Sequence, residues 1–297
     1  MKTGDIKMKK LIITLFALIT SFTANAKEYN ENETKDCSHN AIVMLCDLEG
    51  EPITGIVKSY YDNGNLEDEI NYKDGKQEGL SKFYYDNGNL IAETNFKDGK
   101  LEGLSKKYYN NGNLKEERNF KDGKFEGLRQ NYYENGNLER EINYKDGKQE
   151  GLEKWYYENG NLESEENYKD GKREGLKKSY YENGNLKMEI NYKDGKLESL
   201  NKEYYNNGNL KVEGNYKDGK QEGVTKIYYE NGNIEAEINY KDGKYEGLGK
   251  GYYENGNLEA EVNFKDGKAV SGYMYDIDGE KKEMTNAHLH NMTKNLK

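Results

Sequence analysis

The chain has 297 residues, a net charge of −10, 34% charged and 33% apolar residues, one proline, 33 glycines and 28 tyrosines. With no basic run after the first ten residues, this balance excludes nucleic-acid binding, which needs clustered Lys and Arg, and it disfavours an anionic membrane surface. Low hydrophobicity with high charge can signal disorder, but tyrosine richness and regular Asn-Gly and Asp-Gly punctuation predict strands.

Residues 1–26 read as a cleavable export signal. Lys7, Lys9 and Lys10 precede an apolar run over residues 11–20, and Ala24-Asn25-Ala26 is a small-x-small cleavage site. The run is too short to anchor the chain in a bilayer. Met8 is an alternative start. The mature chain is expected to begin at Lys27, in the periplasm or outside the cell. Residues 27–46 form an N-terminal segment with the only two cysteines, Cys37 and Cys46. In an oxidising compartment these two can close a disulfide; the alternative is a pair of free thiols.

Between Tyr60 and Lys268 one unit recurs every 24 residues. A Tyr-Tyr pair begins at Tyr60, Tyr84, Tyr108, Tyr132, Tyr156, Tyr180, Tyr204, Tyr228 and Tyr252. Each pair leads into x-Asn-Gly-Asn-Leu (or Ile), then Lys-Asp-Gly-Lys, and usually a Glu-Gly-Leu step such as Glu102-Gly103-Leu104. Ser199 stands where that step has glycine.

Asn-Gly and Asp-Gly are hairpin signals, because a two-residue type I′ turn needs positive φ at both central positions. With Asn87-Gly88 as such a turn, Tyr85 faces Leu90, Lys82 faces Glu93, and Gly79 faces Phe96. The Lys82 column is Lys in eight of nine copies, and the Glu93 column is Glu in all nine. The Phe96 column is always Phe or Tyr, with the ring expected to shield the facing glycine. Facing opposite charges add roughly 0.2–1 kcal/mol per pair. The expected fold is all-β, an elongated single-layer antiparallel meander of hairpin repeats over residues 47–283. Each copy leans on its neighbours, and the ends need caps. Residues 37–56 look like a degenerate first unit, residues 273–283 like a degenerate last hairpin, and residues 284–297 like a flexible tail.

The motifs Tyr-Tyr-x-Asn-Gly-Asn-Leu, Tyr-Lys-Asp-Gly-Lys and Glu-Gly-Leu resemble the MORN repeat, in the variant found in the YwqK-type family of bacterial antitoxins. The resemblance covers about residues 47–283. It implies a repeat that serves as an arm or scaffold, and it says little about biochemical activity.

No catalytic site, cofactor or metal is expected. A catalytic carboxylate pair is unique to its site, whereas the glutamate columns recur in every copy. No phosphate loop or metal-binding Asp set lies outside the repeat grid. His288-x-His290 is short of ligands, and Asp276-Ile277-Asp278-Gly279 reads as a turn. Tyrosine suits binding patches, so Tyr84 and Tyr85 are candidate interaction residues. A variable column joins them: Phe83, Lys107, Asn131, Trp155, Ser179, Glu203, Ile227 and Gly251. Within it Phe83, Trp155 and Ile227 are the candidate contacts, and its freedom is read as solvent exposure. The expected function is a non-catalytic, exported scaffold for an unknown protein partner. The alternatives are an antitoxin or immunity protein, then a lipid-head-group or cell-wall binding module. Open sheet edges also allow edge-to-edge self-association.

Overall fold

A computed structural model describes residues 27–37 and 44–295; the signal-peptide reading of residues 1–26 lies outside them. The chain divides into two units, residues 1–136 and 137–297. Each is built almost wholly of consecutive antiparallel strands from the 24-residue repeat.

The first unit opens with a cap. Lys27–Asn30 pairs in parallel with Gly55–Lys58 on the first hairpin. The approach is so close that a Cβ on Gly55 would stand 2.0 Å from the Lys27 carbonyl oxygen. Thr34–Asp36 and Leu45–Asp47 form a separate two-stranded sheet. A disulfide joins Cys37 to Cys46, with Cα atoms 5.8 Å apart. This small sheet is tied to the array through Gly75, whose carbonyl accepts the Leu45 N–H and whose own N–H donates to Ile53, both at 2.8 Å. Cys46 and Ile53 are buried there.

The two turns of each copy differ. At Asp-Gly the two-residue turn forms as expected: Asp74 and Gly75 have φ of 50° and 77°, and Lys73 pairs with Lys76. At Asn-Gly it does not. Gly88 has φ of 88°, but Asn87 stays out of the left-handed region. The Gly88 N–H donates to the Tyr85 carbonyl at 2.8 Å, and the Tyr85 N–H to the Asn89 carbonyl at 2.7 Å. The loop is therefore three residues long, a type I turn closed by a left-handed glycine. Tyr84, not Tyr85, faces Leu90. A bulge at Ile91 then restores the count, so Lys82 faces Glu93 and Gly79 faces Phe96. A three-residue loop plus a one-residue bulge has the same arithmetic as a two-residue loop without one.

Shielding of glycine by the facing ring does not occur. A Cβ on Gly79 would meet nothing within 4 Å. Glycine is needed because φ there is 81°, at a wide bulge beginning beyond Glu78. The Glu78 N–H still bonds the Asn71 carbonyl, while Lys82 already pairs with Glu69. Side-chain amides satisfy carbonyls that the bulge frees: Asn95 Nδ2 donates to Leu104 at 2.8 Å and Asn191 Nδ2 to Leu200 at 2.7 Å. Ser199 holds φ of 62° at this bulge, where a Cβ costs roughly 1–2 kcal/mol. Ser199→Gly is expected to stabilise the second unit by about 1 kcal/mol. The urea midpoint should rise with an unchanged m value; a midpoint that stays or falls would show the position to be unstrained.

Neighbouring copies are tied at both rows of turns. Tyr85 Oη donates to the Tyr108 carbonyl at 3.2 Å, and Asn89 Nδ2 to the Asn110 carbonyl at 2.7 Å. At the opposite row the Asp98 N–H donates to Glu78 Oε2 at 2.8 Å, and the Gly99 N–H to the Gln77 carbonyl at 2.9 Å. The same bonds recur three periods later, for example from Tyr157 to Tyr180 and from Asp170 to Glu150. One copy therefore presents a template for the next.

The second unit ends in a cap as well. Residues 284–297, expected to form a flexible tail, instead include a helix, Asn286–Asn295. Thr285 caps it: its Oγ1 accepts the His288 N–H, and His288 Nδ1 accepts the Thr285 N–H, a reciprocal arrangement like a capping box. Met284 and Leu289 are buried against Val262, with Ala260, Phe264, Met274 and Met292 around them. The last strand, Lys281–Glu283, has three exposed charged residues, the kind of edge that opposes strand addition.

Candidate functional site

Alternation along the strands sorts the columns of each unit onto two faces. One face carries Leu80, Lys82, Tyr84, Glu93 and Asn95 and their equivalents, which barely change between copies. Tyrosine hydroxyls there donate to glutamates of the preceding hairpin: Tyr108 to Glu93 at 2.7 Å, Tyr156 to Glu141 at 3.0 Å, Tyr204 to Glu189 at 2.9 Å. Facing Lys and Glu close ion pairs, such as Lys106–Glu117 and Lys154–Glu141 at 3.5 Å and Lys226–Glu237 at 3.6 Å. These half-exposed pairs are worth about 0–1 kcal/mol each, so they fix register more than they stabilise.

Burial first, then the hydrogen bond to a glutamate and that glutamate's charge, pushes Tyr108, Tyr156, Tyr204 and Tyr228 up to about 12. Free tyrosine titrates near 10. A pKa raised by folding contributes stability that is complete below pH about 10 and is lost as pH rises through about 12. Tyrosinate absorbance should therefore lag behind that of free tyrosine, with β-structure melting in the same window. A single transition near pH 10 with the fold intact would contradict this.

The other face carries the Ser81, Phe83, Ala92 and Thr94 columns, and all four vary between copies. Variation does not mark exposure here. Ser81 is 0% exposed, Ile142 and Glu153 are 1% exposed, and Ser179 of the Phe83 column is also buried. The rings of the Phe96 column lean over this face: a Cβ on Gly249 would stand 3.0 Å from the Phe264 ring. The expectation that the Phe83 column is solvent-exposed is therefore corrected. Phe83, Trp155 and Ile227 sit half-buried on this face. Tyr84 is on the opposite one, its hydroxyl donating to Glu69. Tyr85 lies at the row of turns with its hydroxyl on the next copy. The five candidate contacts do not form one surface.

Composition along the variable face changes by region. The chain has four arginines, Arg118, Arg129, Arg140 and Arg173, and each stands on the variable face of its own unit beside a buried carboxylate. In the first unit Glu116 lies 2.7 Å from Arg129, 3.4 Å from Arg118 and 3.6 Å from Lys107. In the second, Arg140 Nε and Nη both lie 2.6 Å from Glu153, and Arg173 lies 2.7 Å from Glu166 with Lys177 at 3.3 Å. The Arg140 guanidinium also lies over Trp155, 4.4 Å from the ring centre. Further along the second unit the face turns apolar. It ends in a cavity of about 450 Å³ beneath Met292, lined by Ala236, Ile238, Val262 and Phe264. Gly249 and Gly251 open this hollow, where Glu153 and Trp155 stand four copies earlier. Sequence reasoning missed these ion pairs, although charges in columns that elsewhere hold Ile or Ser were a readable sign.

Among the described residues, no cluster of three or more His, Cys, Asp or Glu could hold a metal ion. Among them, too, no helix is long and apolar enough to cross a membrane.

Two-strand units stacked through matching turns define a β-hairpin repeat protein. The MORN repeat variant family matches nine segments: residues 53–74, 77–98, 101–122, 125–146, 149–170, 173–194, 197–218, 221–242 and 245–266. The chain belongs to this family. No curated protein matches it. Among solved structures it is similar to a crystal structure of TcdB2-TccC3, at 11% identity over 84% of this chain and 17% of that one, with a TM-score of 0.19. It is also similar to alternansucrase in complex with isomaltononaose, at 16% identity over 85% of this chain and 23% of that one, TM-score 0.19. A third is the Photorhabdus luminescens Tc holotoxin pore, at 14% identity over 80% of this chain and 14% of that one, TM-score 0.15. The chain spans less than a quarter of each of these structures, and TM-scores this low establish no shared fold.

Proposed function

We propose that the protein is a non-catalytic interaction scaffold, exported through its N-terminal signal, whose variable face receives a protein partner. One observation carries this reading. The strand columns of Ser81, Phe83, Ala92 and Thr94, which differ between copies, fall together on one face, while the columns that build the Tyr–Glu and Lys–Glu ladder stay constant on the other. Stability in a repeat array is close to a sum over neighbours, and identical copies would satisfy it. Different side chains at Phe83, Trp155, Glu203 and Ile227 instead give each copy its own chemistry. The apolar hollow at the far end of the second unit fits an anchoring side chain, the kind of pocket that dominates interface energetics.

The test is site-specific photo-cross-linking in the mature chain from Lys27 onward. Probes at Trp155 and Ile227 should trap one and the same protein, and probes at Leu80 and Leu176 on the ladder face should not. Equal trapping from both faces would remove the reading. A trapped toxin whose activity the chain suppresses would recast the scaffold as an immunity protein.

A further inference from the structure

We infer that the cation cluster around Glu116 is a binding site for a carboxylate side chain of an acidic protein partner, a refinement that rests on the scaffold reading. Glu116 is 5% exposed and is shared by Arg129, Arg118 and Lys107. Three cations on one carboxylate leave two positive charges in excess, on a half-buried face of a chain whose net charge is −10. Half-buried charge calls for compensation. The Arg140–Glu153 pair shows the charge-balanced alternative, with one guanidinium on one carboxylate oxygen through two nitrogens.

The arginines around Glu116 are not saturated. The Arg129 contact is short enough for an ion pair but is not aligned as a hydrogen bond, which leaves Glu116 Oε1 without a donor and Arg118 Nε and Arg129 Nε without an acceptor. A buried donor left without an acceptor costs about 1–3 kcal/mol, and a carboxylate is the natural acceptor for a guanidinium edge. The Phe125 ring lies 5.9 Å from the Arg118 guanidinium and 5.6 Å from that of Arg129, so both forks are held beside an aromatic wall. Asn131, paired across the strands with Glu116, has a buried Oδ1 with no donor. A fully ionised small anion brings no donor to that oxygen, whereas a peptide brings its N–H. The combination of unsatisfied cation forks and an adjacent unsatisfied acceptor therefore points to an acidic side chain on a polypeptide.

The experiment uses the full mature chain and a fluorescein-labelled Gly-Glu repeat peptide, with a Gly-Gln peptide and inorganic phosphate as comparison probes. The Gly-Glu peptide should bind with salt-sensitive affinity, about tenfold tighter than Gly-Gln. The double variant Arg118→Gln/Arg129→Gln should lose that difference, and Lys97→Gln on an exposed turn should keep it. Arg118→Lys/Arg129→Lys, which retains charge without the forks, should also bind several-fold more weakly than wild type. In wild type, where no variant has to fold, the Arg118 and Arg129 Nε–H resonances should move with Gly-Glu and stay still with Gly-Gln. Equal affinity for the two peptides, variants that bind as wild type does, or phosphate alone moving those resonances would overturn the inference. Cross-linking from Trp155 and Ile227 combined with failure of the peptide would leave the scaffold and discard only the acidic partner. Peptide binding without cross-linking from Trp155 and Ile227 would remove the scaffold reading and, with it, the protein partner assigned to this site.

Discussion

Arg140→Leu is expected to destabilise the second unit by about 3–5 kcal/mol. Glu153 is 1% exposed, and its carboxylate is met by two nitrogens of Arg140 at 2.6 Å. Its strand neighbours are Ile142 on one side and Glu166 on the other. Without the guanidinium, a buried charge would face an apolar side chain and a second acid. The Trp155 ring would also lose the cation stacked over it. The double variant Arg140→Leu/Glu153→Leu should recover most of the loss, because replacing both partners of a buried pair with apolar residues is often neutral. Urea unfolding of the three proteins decides the matter. Equal losses in the single and double variants would show that packing of the Arg140 stem, not charge, holds this part of the face.

Truncation after Glu283 should leave the last hairpin uncovered and the protein self-associating. The helix Asn286–Asn295 places Leu289 over Val262, and Met284 lies beside them, all three buried. Removing them exposes Val262, Phe264 and Met274 at the end of a repeat array, where a polar cap is needed for solubility. Leu289→Ala tests the same contact more gently, at about 2–5 kcal/mol. Light scattering should show the truncated chain above monomer mass, with the helix point variant monomeric and less stable. A monomeric truncated chain of unchanged stability would show that the helix covers nothing of consequence.

The strand columns were legible because the period is even and each copy sees the same neighbours. Lys82 opposite Glu93 followed from counting alone, although the turn assumed in that count was wrong. The three-residue loop at Asp86-Asn87-Gly88 and the bulge at Ile91 offset each other, so sequence could not tell two compensating irregularities from none. The Asn95 amide on the Leu104 carbonyl was invisible for a related reason: it serves a bulge that the simple hairpin did not contain.

Residue order by itself determined the repeat, its period, the Asp-Gly turns and the facing columns, because all of these depend on contacts within one or two adjacent copies. Tertiary structure decided which face is buried, since rings such as Phe264 had to lean over it, at Gly249, before variability and exposure parted company. It also decided both caps. Lys27–Asn30 finds its partner at Gly55–Lys58 across intervening chain, and the apolar residues of 284–292 acquire meaning only against Val262. Neither contact has a local pattern to announce it, because each is specified by the surface it covers rather than by its neighbours in sequence.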